Sequence, residues 1–382
     1  MNAPETGPVS TDPYLALAGA RGLALWPAAC LALRAGEKAC RRCARICPTN
    51  ALGVADSGPR IAGECLGCGR CAASCPTGAL RAEGYDTPPR LPDGNQPVKL
   101  DCWKLPRGLG GDATTRVPCL YGLSVTRLVE LAAAAHGRGV VVLDHGWCGG
   151  CEAGRGAASQ LSRAIDEANA LLAACAFPPS AQIRVRVEPL PEAMRADAIP
   201  TPSAEVPHSR RAFFRRLRVE ISRIGKAPSA PDRVSLRAGA FPLPARRRLI
   251  EVARALAGGS LTLPLPAATV AQECANHGVC AAACPTGALR GYEDRDVQGL
   301  VFDPAACVAC GLCERCCPEQ ALRIEAPLAI PLPASPVRLT RFVQRTCTSC
   351  GEPFATAGGA CPSCTTRQRL ARDLFGPVIA RQ

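Results

Sequence analysis

The stretch Cys65–Leu80, "CLGCGRCAASCPTGAL", decides how the rest of the chain is read. Its cysteines at 65, 68, 71 and 75 follow C-x2-C-x2-C-x3-C-P, the spacing by which a short loop wraps a four-iron cluster. In that pattern the first three cysteines hold one cluster and the fourth, ahead of proline, reaches a second. A partner half-site is therefore needed about one half-repeat away. The chain supplies "CPTNAL" (47–52) beside "CPTGAL" (75–80), and "CPTGAL" (284–289) beside "CPEQAL" (317–322). The second pair contains another full run, "CVACGLCERCCP", with Cys307, Cys310, Cys313 and Cys317.

Composition agrees with metal binding. The 382 residues contain 25 cysteines, too many for an ordinary core. In a short secreted chain such a count would mean disulfides, but in a long one rich in CxxC runs it means metal sites and a reducing compartment. The start, "MNAPETGPVSTDP", has no basic leader pattern, and the apolar stretch from Tyr14 to Leu33 is interrupted by Gly19, Arg21, Gly22 and Pro27. The expectation is a cytoplasmic protein with no membrane span. The formal charge of +13 counts every thiol as neutral. Four thiolates around an oxidised four-iron core or a zinc ion bring about −2 per site, so loaded sites would absorb most of that excess. DNA binding is not expected.

The two paired segments resemble bacterial-type two-cluster ferredoxins over roughly residues 35–85 and 270–325. The resemblance implies two modules of hairpins and short helices, each holding two [4Fe-4S] clusters and passing single electrons. Crossed ligation would assign Cys47, Cys65, Cys68 and Cys71 to one complete cluster, and Cys284, Cys307, Cys310 and Cys313 to another. The other half-sites each lack one cysteine. One reads Cys274, His277, Cys280 with Cys317; the other reads Glu37, Cys40, Cys43 with Cys75. An imidazole is neutral where a thiolate is anionic, so His277 as a ligand would raise the potential. Three outcomes stay open there: ligation by His277, a three-iron cluster, or no cluster. Carboxylate is a hard ligand, so Cys30, looping in from upstream, or a vacant iron corner is favoured over Glu37. Cys316 reads as a neighbour of Cys317 that could replace it.

Between the modules the periodicity changes. "PVKLDCW" (97–103), "GVVVLDHG" (139–146) and "QIRVRVEP" (182–189) read as strands, and 123–137 and 157–175 as amphipathic helices, the first with Ser124 as N-cap. This predicts a small α/β domain with a mainly parallel sheet. Cys102, Cys119, Cys148 and Cys151 fall at its strand ends, where one metal centre could form at the carboxyl edge. The segment 98–175, with "RVPCLYGLSVTRLVELAAAAHGRGVVVLDHGWCGGCEAG", resembles the delta subunit of methyl-viologen-reducing hydrogenases. That implies a [2Fe-2S] or other iron-sulfur cluster on those four cysteines. "WCGGC" between a strand and a helix is also similar to the redox motif of thioredoxins, which would make Cys148 and Cys151 a reactive dithiol.

From Pro189 to about Val270 the chain is rich in proline, arginine and alanine, with two helical islands. "SRRAFFRRLRVEISRIGK" (209–226) reads as a solvated basic helix or a docking surface for an acidic redox partner; RNA binding through Phe213 and Phe214 is the weaker reading, since no nucleic-acid fold accompanies it. In the tail, "CTSCG" (347–351) and "CPSC" (361–364) resemble a zinc ribbon, with zinc favoured over rubredoxin-like iron on Cys347, Cys350, Cys361 and Cys364.

The expected fold class is α+β multidomain. An N-terminal segment (1–30) precedes a first dicluster module (31–92), the α/β adapter domain (95–190), a basic linker with helices (191–265), a second dicluster module (266–330), and a zinc ribbon with a C-terminal helix (340–382). No nucleotide loop or catalytic triad is present in the sequence. The expected function is that of a polyferredoxin, a non-catalytic electron-transfer subunit serving a larger oxidoreductase such as a hydrogenase, a heterodisulfide-reductase-like flavoprotein or a formate dehydrogenase. The alternatives are a thiol-disulfide oxidoreductase and a zinc-ribbon binding or assembly module.

Overall fold

The computed structural model describes residues 12–85, 91–106, 114–156, 158–196, 241, 243–259, 261–355 and 359–379. The basic stretch 209–226, with Phe213 and Phe214, lies outside the described residues. The chain forms two compact units, Met1–Leu261 and Thr262–Gln382. Both mix helices with small sheets, and the first contains a parallel sheet.

The first unit opens with β1 (Leu15–Ala16) and β2 (Leu23–Leu25), then α1 (Leu31–Ala35), α2 (Arg42–Arg45), the hairpin β3 (Leu52–Ala55) and β4 (Gly58–Ile61), α3 (Arg70–Ala73) and β5 (Leu80–Ala82). Strand β2 pairs antiparallel with both β1 and β5, and β3 with β4 in the register Leu52↔Ile61. Helices α2 and α3 have four residues each, far below the ~12–15 that an isolated helix needs. Tertiary packing must therefore hold them, and both bury a cysteine, Cys43 and Cys71.

The α/β domain follows within the same unit: β6 (Val98–Cys102), β7 (Thr114–Val117), α4 (Val125–Ala134), β8 (Val140–Asp144), α5 (Ala158–Ala174) and β9 (Ile183–Val187). Its sheet is parallel throughout, in the order β7-β6-β8-β9. The expected parallel sheet is present with one strand more than the periodicity revealed. Strand β7, "TTRV", is short and mostly polar, with only Val117 buried. Apolar residues on the central strands, Leu100, Val140 and Val142, are fully buried, as are Leu128, Val129 and Leu131 of α4 and Leu172 of α5. Truncating one such leucine would cost about 2–5 kcal/mol. Ser124 caps α4 by accepting the Arg127 N–H at 3.2 Å. A further helix, α6 (Pro244–Ala257), which the composition placed in the linker, packs on α4. Arg248 forks onto Glu130 of α4 at 2.9 and 2.7 Å, and Ala253 is fully buried.

The second unit begins with β10 (Leu261–Val270), followed by α7 (Val279–Ala283), the hairpin β11 (Leu289–Asp294) and β12 (Val297–Phe302), α8 (Leu312–Arg315) and β13 (Leu322–Leu332), which pairs with β10. Strands β14 (Val337–Arg338) and β15 (Phe342–Val343) extend the sheet beside β12. A small hairpin, β16 (Arg345–Thr346) with β17 (Pro353–Phe354), and helix α9 (Pro362–Ile379) complete the described chain. The core packs Leu289, Leu300, Phe302 and Leu322 around Cys280, Cys307 and Cys313. Among the described residues, no helix is long and apolar enough to cross a membrane.

Candidate metal centres

All 25 cysteines lie among the described residues, and no disulfide joins any of them. In the first module Cys47, Cys65, Cys68 and Cys71 line one pocket of about 360 Å³. Gly69, with φ 73°, lets the chain turn into α3 immediately after Cys68, which places Cys71 inward. Burial raises the Cys68 thiol; the backbone N–H and charge of Arg70 oppose that, while Cys47 and Cys65 add to it. Cys71 is raised well above its ordinary value by burial, with Cys68, Cys43 and Cys65 contributing. Cys43 belongs to the neighbouring set, so the two sets of this module face each other.

That neighbouring set is Cys30, Cys40, Cys43 and Cys75. Burial pushes the Cys43 thiol up to about 12, with Cys75, Cys40 and Cys30 adding to it, and pushes Cys30 up to about 11, with Cys75 and Cys40 adding. A threonine explains how Cys30 arrives. The Thr77 hydroxyl donates to Ala29 O at 2.7 Å and sits 3.6 Å from Cys75 Sγ. In the other half-site Thr49 donates to Glu64 O at 2.9 Å and sits 3.6 Å from Cys47 Sγ. Glu64 precedes Cys65, and Ala29 precedes Cys30. Cys30 thus occupies the place in its half-site that Cys65 occupies in the other. Glu37 turns to Arg41 instead, at 2.9 Å.

In the second unit, Cys284 and Cys310 are electrostatic neighbours of Cys313, whose thiol burial pushes up to about 12, with Cys307 adding to it. Backbone N–H groups point at two of these sulfurs, Ala309 to Cys307 Sγ and Leu289 to Cys284 Sγ, both at 3.4 Å. Across the module, burial lifts Cys280 to about 11, helped by Cys274, Cys316 and Cys317. The loop at His277 follows the path of the complete half-site. Asn276 (φ 52°) and Gly278 (φ 70°) match Ala309 (φ 49°) and Gly311 (φ 69°), so His277 stands where Cys310 does. Its Nε2 is 2.8 Å from Glu319 Oε1. Glu319 itself replaces the threonine of the other three CPT repeats, and its second oxygen lies 4.0 Å from Cys317 Sγ. A carboxylate on one ring nitrogen leaves Nδ1 for iron, the arrangement of many metal-bound histidines.

The α/β domain brings four of its five cysteines into one pocket of about 470 Å³ at the carboxyl edge of the sheet, lined by Cys102, Cys119, Cys148 and Cys151. Cys102 ends β6, Cys119 follows β7, and the last two follow β8. Burial raises Cys119, with Cys68 the next contributor and Cys102 and Cys148 behind it. Burial likewise lifts Cys148 to about 11, helped by Asp144 and opposed by the Tyr121 hydroxyl. Helix α5 starts only at Ala158, so Cys148 is not at its N-terminus. Beneath the pocket, Asp101, fully buried, accepts the Cys102 N–H at 2.7 Å and faces His145 Nε2 at 2.8 Å. His145 Nδ1 faces Glu188 O at 2.7 Å. Both ring nitrogens meet acceptors, so the imidazolium satisfies both. Burial opposes that charge, but the bonds to Asp101 and the Glu188 carbonyl win and raise the His145 pKa.

In the tail Cys347, Cys350, Cys361 and Cys364 place their sulfurs within 4.8 Å of one another, a group able to hold a metal ion. The β16–β17 hairpin carries the first two, and the start of α9 the last. The Cys361 and Ser349 N–H groups point at Cys347 Sγ at 3.2 and 3.4 Å. With Cys361 the larger contributor, they lower that thiol to about 6.

These donor sets fit metal. Thiols that are buried together repel one another as anions, and a cationic iron or zinc core removes that penalty. Two cysteines stand outside these sets: Cys316, beside Cys317, donates to Cys313 O, and Cys175 is buried and donates to Ala253 O. The sequence reading missed Tyr85, Arg70, Thr77, Asp101, His145 and Glu319. Two carried a signal: Thr77 as the repeated residue of CPT, and Glu319 as the departure from it.

The thiol sets of the first module define an iron-sulfur-binding domain. Residues 37–86 match the family model of the LdpA Fe-S cluster-binding domain. No curated protein matches the chain. The matched segment contains seven of the module's cysteines, from Cys40 to Cys75, and Tyr85, but not Cys30.

Proposed function

We propose that the chain is a polyferredoxin-type electron-transfer protein. Its first and second modules would each hold up to two [4Fe-4S] clusters, its α/β domain a further iron-sulfur cluster, and its tail a zinc ion. When bound, the clusters supply reversible one-electron storage; the chain keeps water out, donates N–H groups to sulfur and spaces the centres. The carrying observation is that the thiols gather in five sets of four and one of three beside His277 rather than in pairs, with neighbouring sets facing each other through Cys43 and Cys71. The domain bounds expected from sequence serve this reading, and a larger oxidoreductase is the partner we propose.

The dithiol reading of Cys148 and Cys151 is less well supported. A nucleophilic cysteine needs a lowered pKa, whereas burial raises Cys148, and Cys102 and Cys119 share its pocket. Anaerobic iron, sulfide and zinc analysis of the full chain with EPR tests the proposal. Iron sufficient for at least two [4Fe-4S] clusters is expected, and less than one cluster after reconstitution would refute it.

A further inference from the structure

Within the first unit, the N-terminal module and the α/β domain meet along a line of close backbone approach. A methyl group at Gly69 would overlap the Tyr85 ring, and one at Gly122 would overlap both the Tyr85 hydroxyl and the Cys68 carbonyl. One at Gly84 would meet Pro118 at 2.7 Å. Tyr85 itself is only 6% exposed. Its hydroxyl oxygen lies 2.6 Å from Cys119 O and 3.0 Å from Cys68 O, and accepts the Cys119 N–H at 2.9 Å. Arg70, beside Cys71 and also buried, donates to Ala153 O at 3.0 Å and Arg155 O at 2.9 Å, in the loop that follows Cys151. Both side chains thus tie residues flanking one thiol set to residues flanking the other.

We propose that Tyr85 is the junction of an electron path between the set Cys47, Cys65, Cys68, Cys71 and the set Cys102, Cys119, Cys148, Cys151, running through the hydrogen-bonded seam Cys68–Tyr85–Cys119. The proposal rests on the reading that both sets hold iron-sulfur clusters. One electron leaves one centre, which is oxidised, and enters the other, which is reduced. No bond is made or broken, and the phenol proton stays on Tyr85. The first electron comes from an external low-potential one-electron reductant. The seam suits this task because it is dry and continuous. The hydroxyl bonds the backbones of two ligand residues at once, so the route crosses between domains without a solvent gap. A purely structural tyrosine would need neither carbonyl to belong to a ligand.

The test uses the full chain, reconstituted anaerobically and reduced by dithionite for EPR or by a photoexcited deazaflavin for kinetics. In the wild type the two reduced centres should enhance each other's spin relaxation; Cys119→Ser should abolish that enhancement and Cys30→Ser should leave it. Tyr85→Phe keeps the ring and removes the hydroxyl. It should retain iron content and both signals while slowing electron equilibration between the two centres severalfold. Wild-type kinetics in a fully loaded Tyr85→Phe protein would overturn the proposal. So would independent relaxation of the two centres in the wild type, which decides the matter if Tyr85→Phe fails to load. Iron and sulfide counts identify a different failure: a central site that takes up no cluster removes the proposed central centre and this path with it.

Discussion

Replacing Cys30 and Glu37 one at a time decides which residue completes the half-site that spacing alone leaves a ligand short. The structure gives the two substitutions very different weights. Glu37 pairs with Arg41 at 2.9 Å, four residues on, with side chains 33% and 50% exposed. An exposed ion pair of this kind is worth about 0.2–1 kcal/mol, so Glu37→Gln should change stability by no more than that and leave iron untouched. Cys30 is buried beside Cys40, Cys43 and Cys75. Cys30→Ser should lower iron by about one atom per chain if a three-iron form survives, or by about four if the cluster is lost. Thr77→Val tests the means of delivery. Thr77 is 1% exposed and its hydroxyl holds the Ala29 carbonyl, so the variant leaves a buried acceptor unpaired at a cost of about 1–3 kcal/mol. Iron and sulfide per chain, EPR of the reduced protein and urea unfolding read out all three. A Cys30→Ser protein with wild-type iron and spectrum, set beside a Glu37→Gln protein that loses a cluster, would refute the equivalence of Cys30 and Cys65.

His277→Cys should lower the potential of the centre shared with Cys274, Cys280 and Cys317 by adding a thiolate's charge, and His277→Ala should favour a three-iron form; redox titration with EPR showing no change in either would make His277 only a partner of Glu319. Cys65→Ser and Cys307→Ser should each cost one module a complete cluster and leave the other module loaded, as iron counts and EPR of the two variants will show. Cys350→Ser should release the tail metal without loss of sulfide; a metal assay finding iron with a ferric thiolate spectrum would replace zinc by a rubredoxin-like site. Cys175→Ala should leave every metal and its spectrum in place and cost about 1 kcal/mol for the lost hydrogen bond to Ala253, measurable by urea unfolding.

What could be read from the sequence was whatever depends on short spacing. C-x2-C-x2-C runs and the CPT repeats are local, because a loop of three residues fixes its own geometry, and a parallel sheet announces itself through apolar runs such as "GVVVLDHG". Contacts made across the fold leave no such trace. Tyr85 and Arg70 look like ordinary strand-end and helix residues until the α/β domain folds against them. Asp101 and His145 are 44 positions apart, and the sequence does not show that they meet. Helix α6 reads as linker because its packed side uses alanine, a weak hydrophobic signal among arginines. Strand β7 was missed because four polar-rich residues carry no period.

The two departures around the set Cys274, Cys280, Cys317 show how spacing and fold must be combined. His277 breaks the cysteine pattern, and 42 residues later Glu319 breaks the threonine pattern. Each alone looks like decay of a degenerate half-site. In the fold they are one event, because the residue two places after the proline-flanked cysteine lies over the turn that carries the second ligand. A threonine there could offer a hydroxyl to sulfur but no charge to an imidazole. A carboxylate can accept the ring proton and fix which nitrogen is left over. The left-handed turn at Asn276 and Gly278 and the acid on Nε2 are what an imidazole ligand would need, a turn that presents the ring and a partner that fixes its tautomer. A degenerate half-site needs neither, so the His277→Cys and His277→Ala titrations separate the two readings.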